Sequence, residues 1–588
     1  MKFRFFAPLA ALVLAAVPAL SQQLPRIDGE PALAPGSAPA AALRLPAGEP
    51  AFGARLEPVS EAEVAAVRER NRPRDGGPRQ PQVARLAIGI ARPAGGELAG
   101  ASFPWKRVAG GHAARAALTS PEAGSLRLAI DLAGVPAEVE MVFFGSGASR
   151  LEGPVRAGDI GDRTQPWWSP LTEGETQTVE FFVPDPHAPA QLPLSIAGAS
   201  HVFTTAGSGF TKRVQDIGLA GSCNVDVACS PLASNNAFRN AAESVAQMVF
   251  NDGGFTTLCT GTLLADSDAS SQTPWFYGAN HCFENEDPPY KTAAQMQTVA
   301  NTLSTLWGFE ATSCGSRTPR AGWSQLPGGA TFVYNNVTSD VLFLRLNAAP
   351  PAGAFYSGWD AAALGTGNAL VALHHPQGDL KKASQGSVVR FAAPGVGGGS
   401  ASYAEVRWNS GTTEVGSSGG GIWTPSGSQY VFRGGLWGGS AACDTPSGTD
   451  YYSRFDQAYP ALAPYLGSSA STTVDYTDLW WNPNESGWGL NLTQHPSRAI
   501  FGVWYTYELD GTRTWYVMPG GSWTGANTYT GALFTTAGPA FTSPFNPSQV
   551  ETRQVGSATL TFSDANNGVF AYSIDGVAGS KAITRQPF

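Results

Sequence analysis

Positive charge is what this chain lacks first: 37 lysines and arginines stand against 46 aspartates and glutamates, a formal net charge of −9. Without a basic excess there is no electrostatic footprint for a phosphate backbone, which removes nucleic acid from the expected partners. Charged residues of either sign are also scarce, 14% of 588, whereas 43% are hydrophobic, a balance that excludes a largely disordered chain. Beyond residue 20 no apolar run is long enough to span a bilayer, so no membrane contact is expected of the mature form. Cysteines number only six, Cys223, Cys229, Cys259, Cys282, Cys314 and Cys443, and their confinement to one window marks that window as a domain of its own. None of them shows the two-residue spacing of a zinc knuckle, so no metal is expected. Three disulfides are the reading for an exported chain, with about 15 pairings open.

What the chain has in quantity is glycine and proline, 69 and 44 residues, which disfavour long helices and suit short strands joined by turns. The fold class expected is mostly β. At roughly 150 residues per domain, the length accommodates about four units. Lys2 and Arg4 precede the apolar run from Phe5 to Leu20, and Ala19-Leu20-Ser21 supplies small residues for cleavage, so residues 1–21 read as a signal peptide. Residues 22–213 read as a proregion. Its start, rich in Ala, Pro and Gly, is expected to be disordered apart from a helix over Glu61 to Arg70. From about residue 82, alternating segments such as Arg85 to Ile90, Leu126 to Asp131, Glu138 to Phe143 and Thr178 to Phe182 predict a β-sandwich. Residues 214–467 form the disulfide-bearing domain, 468–473 a flexible linker, and 474–588 a Trp-rich β module carrying Trp480, Trp481, Trp488, Trp504, Trp515 and Trp523. Those rings predict either an aromatic core or a surface for a carbohydrate or other surface ligand.

Three segments of the disulfide window carry chemistry, in the order His, Asp, Ser. His281 follows the aromatic segment Trp275-Phe-Tyr-Gly-Ala-Asn280, Asp340 opens the apolar strand Val341 to Leu346, and Ser418 sits in the turn Gly416-Ser-Ser-Gly-Gly-Gly421. A serine hydroxyl becomes a nucleophile when an imidazole takes its proton, and the imidazole needs a carboxylate to fix its tautomer. Glycines around the serine let backbone N–H groups, here those of Gly416 and Ser418, reach a developing oxyanion. His374 and His375 resemble paired metal ligands, but neighbours on a strand point to opposite faces.

The segments Gly221-Ser-Cys-Asn-Val-Asp-Val-Ala-Cys229, Thr338-Ser-Asp340, Leu373-His-His-Pro376 and Gly416-Ser-Ser-Gly419 resemble landmarks of the chymotrypsin-like serine endopeptidases, and more closely of the exported bacterial lysyl endopeptidase branch. The resemblance spans about residues 218 to 465. It implies two six-stranded β-barrels, with His281 as general base, Asp340 as its orienter and Ser418 as nucleophile. It also implies the pairings Cys223 with Cys443, Cys229 with Cys314, and Cys259 with Cys282. In place of the acid that animal relatives carry before the serine stands Ser417, so their activation switch is absent. Asn280 replaces a small residue, Gly421 stands where proline is common, and Trp437 stands where the lysyl branch carries histidine.

The position six residues before Ser418, where trypsin holds its specificity acid, is Thr412. By resemblance to the lysyl branch, Asp450 is the acid expected to line the pocket, with Trp437 and Gly438 as its wall. The function expected is a secreted zymogen that hydrolyses peptide bonds after Lys, and Arg as well, without a cofactor. Its partners are protein or peptide substrates and its own propeptide. Lys212-Arg213 offers a site for self-cleavage. A catalytically silent adhesion protein using the Trp-rich module is the alternative from another class.

Overall fold

The computed structural model describes residues 25–33, 41–49, 51–72, 85–147, 150–204, 220–268, 271–285, 288–393, 402–467, 475–495, 499–525, 527–540, 542 and 544–587. The expected signal peptide, the Lys212-Arg213 pair and the linker lie outside them. Two units result, 1–467 and 468–588.

The first unit begins with the expected sandwich. Strands Phe52–Arg55, Gly111–Thr119, Thr176–Pro184, Glu140–Gly145 and Glu152–Arg156 form one sheet in that order. Facing it are β1 (Leu86–Ala99), β2 (Ser125–Asp131) and β3 (Ser195–Val202), ordered β2-β3-β1. Period-two alternation explains the layer: Leu126, Leu128 and Ile130 of β2 enter the sandwich core with Met141, Phe143 and Phe181. Arg127, between them, points the other way and reaches the neighbouring barrel, where its guanidinium donates to Thr302 O at 2.9 Å and Ser304 Oγ at 3.0 Å.

That barrel holds β4 (Val245–Asp252), β5 (Phe255–Leu264), β6 (Trp275–Ala279), β7 (Ser304–Trp307), β8 (Ala330–Asn336) and β9 (Val341–Leu346), in the order β7-β4-β5-β6-β9-β8. The two ends meet where Gly329 N–H donates to Leu303 O. Its sheet does not stop at its own edge. The first residues of β5 pair with β1, Phe255 opposite Ile90 and Leu258 opposite Leu86, so the sandwich and the barrel share one sheet of 12 strands. The helix Glu61–Arg70, closed at its start by a Ser60–Glu63 capping box, lays Val64 and Val67 over this seam against Leu86, Ile88, Val249 and Leu258.

The second barrel comprises β10 (Ala369–His374), β11 (Lys382–Ala392), β12 (Tyr403–Ser410), β13 (Gly421–Ser426), β14 (Gln429–Gly439) and β15 (Asp450–Tyr452). Their order β14-β13-β10-β11-β12-β15, with β15 returning to β14, closes the ring. Pairings Cys223–Cys443, Cys229–Cys314 and Cys259–Cys282 are present as the resemblance implied.

The proregion's start differs from the expected disorder. Arg26 and Ile27 pair with Asp360 and Trp359, Glu30 and Pro31 with Tyr356 and Phe355, forming a strap along the second barrel's side of the unit. Composition hides such a strap because it contributes backbone hydrogen bonds rather than apolar area. Gly29 and Gly358 meet there, and a Cβ on Gly29 would lie 2.6 Å from Gly358 N.

The second unit is an antiparallel sheet of nine strands from Asp478–Trp481 to Val577–Arg585, eight of them closed into a barrel by Val517 opposite Phe534 and the ninth, Ser522–Gly525, paired outside the ring with Thr528–Ala537. Trp480 and Trp504 fill its core with Leu492, Tyr529 and Phe570, while Phe501, Tyr505 and Trp515 are exposed on its outer face.

Candidate active site

Strand register brings the histidine and the acid together. β6 runs antiparallel to β9 with Ala279 opposite Val341, so the residues just beyond that pair, on the short helix Asn280–Phe283 and at Asp340, become neighbours. Asp340 Oδ2 lies 2.9 Å from His281 Nδ1, and Oδ1 accepts the His281 backbone N–H at 2.8 Å. The carboxylate therefore orients the ring from two directions. Asp340 is buried and takes a left-handed φ of 55°, a strained conformation for a non-glycine residue that these pairs hold in place. Burial pushes its carboxyl above the usual range, and the His281 partner works in the opposite direction. Asn280, unusual before the histidine, is buried and its Oδ1 accepts from Asn335 Nδ2 at 2.7 Å. His281 Nε2 is buried and has no hydrogen-bond partner among the described residues.

Ser418 arrives from the second barrel, in the turn between β12 and β13, and β5 of the first barrel grips that turn. Thr260 N–H donates to Ser418 O at 2.8 Å, and Thr260 Oγ1 donates to Gly416 O at 3.1 Å. The residue before Thr260 is Cys259, whose bridge runs to Cys282 beside His281, and Cys282 Sγ lies 4.0 Å from Ser418 O. One disulfide and one threonine thus tie the serine turn and the histidine helix to the same strand. Gly416 needs its φ of 94°, and at Gly419, φ 81°, a Cβ would come within 2.3 Å of Thr260 O. Gly421, where proline was the common residue, faces the Trp423 ring, 2.4 Å from where a Cβ would stand.

Asp450 is fully buried in the wall of the second barrel, opposite Val406 on one side and Gly439 on the other. Oδ2 accepts from Trp408 Nε1 at 2.6 Å and from Thr413 Oγ1 at 2.7 Å; Oδ1 accepts from Ala441 N–H at 3.4 Å. All three donors are neutral, and no cation among the described residues pairs with it. Burial pushes this carboxyl up to about 6, against the pull of those hydrogen bonds. Gly439 is required beside it, since a Cβ there would sit 2.0 Å from Asp450 Oδ1. Trp437 is buried, its ring 5.7 Å from Tyr403 and 6.1 Å from Tyr451, and Gly438 pairs with Tyr451.

The sequence reading missed Trp408, Thr413 and Gly439 around the acid, and Thr260 under the serine. Thr413 carried a signal, five residues before Ser418; the others join through pairing between distant strands. Thr412 accepts at its carbonyl from Ser384 Oγ at 2.7 Å, and its Oγ1 donates to Thr413 O at 3.5 Å. Glu414, in the loop before the serine turn, is half-buried and accepts from Gly221 N–H at 2.9 Å, while Asp444 is exposed. His374 and His375 are both buried, His374 against Ser417 and Ser384, His375 with its Nδ1 on Asp379 O.

A family model described as the lysyl endopeptidase C-terminal domain matches residues 217–453, and one described as the lysyl endopeptidase N-terminal domain matches residues 55–203. Among curated proteins, the lysyl endopeptidase of Pseudomonas aeruginosa strain PAO1 is 36% identical over 371 residues, 61% of this chain and 76% of that protein. Solved structures similar to the chain include the Rv3671c protease of M. tuberculosis in its active form, at 17% identity and a TM-score of 0.27, covering 44% of this chain and 93% of that one. The MamO protease domain of Magnetospirillum magneticum has 11% identity and a TM-score of 0.26, covering 38% of this chain and 96% of the other.

Proposed function

The chain belongs to the lysyl endopeptidase family of serine endopeptidases, and from that premise we propose that it is a secreted proenzyme cutting peptide bonds after lysine, and after arginine as well. Ser418 Oγ attacks the scissile carbonyl, His281 Nε2 takes its proton and later gives it to the leaving amine, and Asp340 holds the ring with Nδ1–H toward its carboxylate. The N–H groups of Gly416 and Ser418 receive the oxyanion, an arrangement in which loss of one donor costs about 100- to 1000-fold. Secretion rests on the basic and apolar residues 2–20.

The observation that carries the substrate class is the Asp450 carboxylate, sealed among neutral donors with no cationic partner among the described residues. A lysine side chain entering past Trp437 and Gly438 supplies the missing charge. Asp450→Asn should lose roughly a few hundred- to several thousand-fold in kcat/KM on Lys and Arg substrates, the equivalent of about 3–5 kcal/mol for an unpaired buried charge. Activity on neutral P1 residues should persist. Profiling both proteins on a peptide library reads this directly, and a wild-type preference for aromatic or small P1 residues would refute the pocket assignment while leaving the triad standing.

A further inference from the structure

The serine turn is braced from beneath by a buried relay that the triad does not use. His374, the last residue of β10, lies 1% exposed under the turn. Its Nδ1 is 2.8 Å from Ser417 Oγ and its Nε2 is 3.2 Å from Ser384 Oγ. The protons in this chain have one consistent arrangement. Ser384 Oγ gives its hydrogen to Thr412 O at 2.7 Å, so it can only accept from His374, which places the ring proton on Nε2. Bare Nδ1 then accepts from Ser417 Oγ–H, and Ser417 Oγ in turn accepts the Glu414 N–H at 3.3 Å. Ser417 N–H donates to Glu414 O at 3.0 Å, and Gly420 N–H donates to Ser417 O at 2.8 Å. Every donor and acceptor is used once, with the imidazole neutral. The fit is close as well as satisfied: a Cβ on Gly420 would stand 2.8 Å from His374 Cβ.

We propose that His374 is a positioning residue for the nucleophile, acting through Ser417 to hold the backbone of residues 414–420 in the shape that presents Ser418. This rests on the reading of Ser418 as nucleophile. The brace sits where animal relatives rely on an acid that must await a new chain end. Here the same position is a serine, held by a group already folded into the barrel, in a chain whose proregion is still attached. Burial pushes the His374 imidazole down to about 3, with Lys382 adding to the effect, so the ring stays neutral across the working range and the brace does not titrate.

The test compares Ser417→Ala, His374→Leu, their double variant and His374→Gln in the full chain after secretion. The readouts are kcat and KM on a lysyl amide, the fluorophosphonate labelling rate, and the inhibition constant of benzamidine, a cation that probes the Asp450 pocket. Ser417→Ala and His374→Leu should each lower kcat and the labelling rate about 100-fold, the order expected when a reacting group is misplaced by about 1 Å. KM and benzamidine inhibition should stay within about twofold of wild type, because the pocket is untouched. The double variant should be little worse than the worse single, as for groups acting as one unit. His374→Gln, which offers an acceptor to Ser417 and a donor to Ser384, should recover most of the rate. Wild-type labelling rates in Ser417→Ala, or multiplicative losses in the double variant, would overturn the proposal. Should His374→Leu fail to fold, the smaller Ser417→Ala change decides alone. Labelling of the wild type at a residue other than Ser418, read by peptide mass, would instead bring down the nucleophile assignment.

Discussion

An acid sealed among neutral donors resists ionisation, and at Asp450 this has opposite effects on stability and on catalysis. Its folded carboxyl, near 6, lies above the unfolded value of about 3.9, so between those values the folded chain binds more protons than the unfolded one. Stability is therefore full below about pH 4 and is lost as the pH rises through 6. Ligand-free Asp450→Asn should melt higher than wild type at pH 8, by the equivalent of about 2–3 kcal/mol, with the gap closing at pH 4; calorimetry on the Ser418→Ala background measures it without self-digestion. Activity runs the other way. On the proposed pocket assignment, cleavage after lysine needs Asp450 ionised, whereas fluorophosphonate labelling of Ser418 does not. The acid limb of kcat/KM on lysyl substrates should thus be steeper than that of labelling, and Asp450→Asn should remove the difference. His281, Asp340 and Ser418 were marked in the sequence by the short segments around them, and Asp450 by resemblance to the lysyl branch. Trp408 was not, because it reaches Asp450 only through the pairing of β12 with β15, and register between strands some 40 residues apart leaves no local mark.

At the scale of elements, alternation in the sequence located the proregion strands, and β2 shows why it worked, with three apolar residues on one face. The same alternation says nothing about edges. β1 was expected to complete a sandwich and also completes the barrel that carries His281, since an apolar strand can bond along both sides. Arg85, just before β1, makes this joint specific: its Nη1 lies 2.5 Å from Asp252 Oδ2 and 3.2 Å from Cys282 O, next to the histidine. Arg85→Leu should destabilise the uncut chain by about 3 kcal/mol, the lower end for breaking a buried pair, because Lys291 Nζ remains 2.9 Å from Asp252. Urea unfolding of the Ser418→Ala chain with and without Arg85→Leu gives the number. An unchanged midpoint would mean that the joint is held by the apolar seam of Val64, Val67 and Leu258 alone.

For the whole molecule, composition and cysteine placement set off the stretch before residue 214 from the disulfide-bearing window, whereas the sheet that the two share left no such mark. On the proposed reading as a proenzyme, release begins in the connection between them, where Lys212-Arg213 offers a basic-specific enzyme a bond of its own preferred kind. Secreted wild type should begin after Arg213, or a few residues later, and the Ser418→Ala protein should stay uncut. N-terminal sequencing of both, purified free of other proteases, checks this, and identical mature ends would exclude self-cleavage.

The strap at the chain's start sets an order of assembly. Ile27 finds its partner in Trp359, more than 300 residues later. At about 5–20 residues per second, a ribosome needs roughly a quarter of a minute to a minute to supply that partner. Through that interval residues 26 and 27 lack their strand partners, and the sandwich, whose strands lie between residues 52 and 202, can close without them. Residues 26–31 are thus among the last to find their place, and their docking reports that the chain has been made through residue 360.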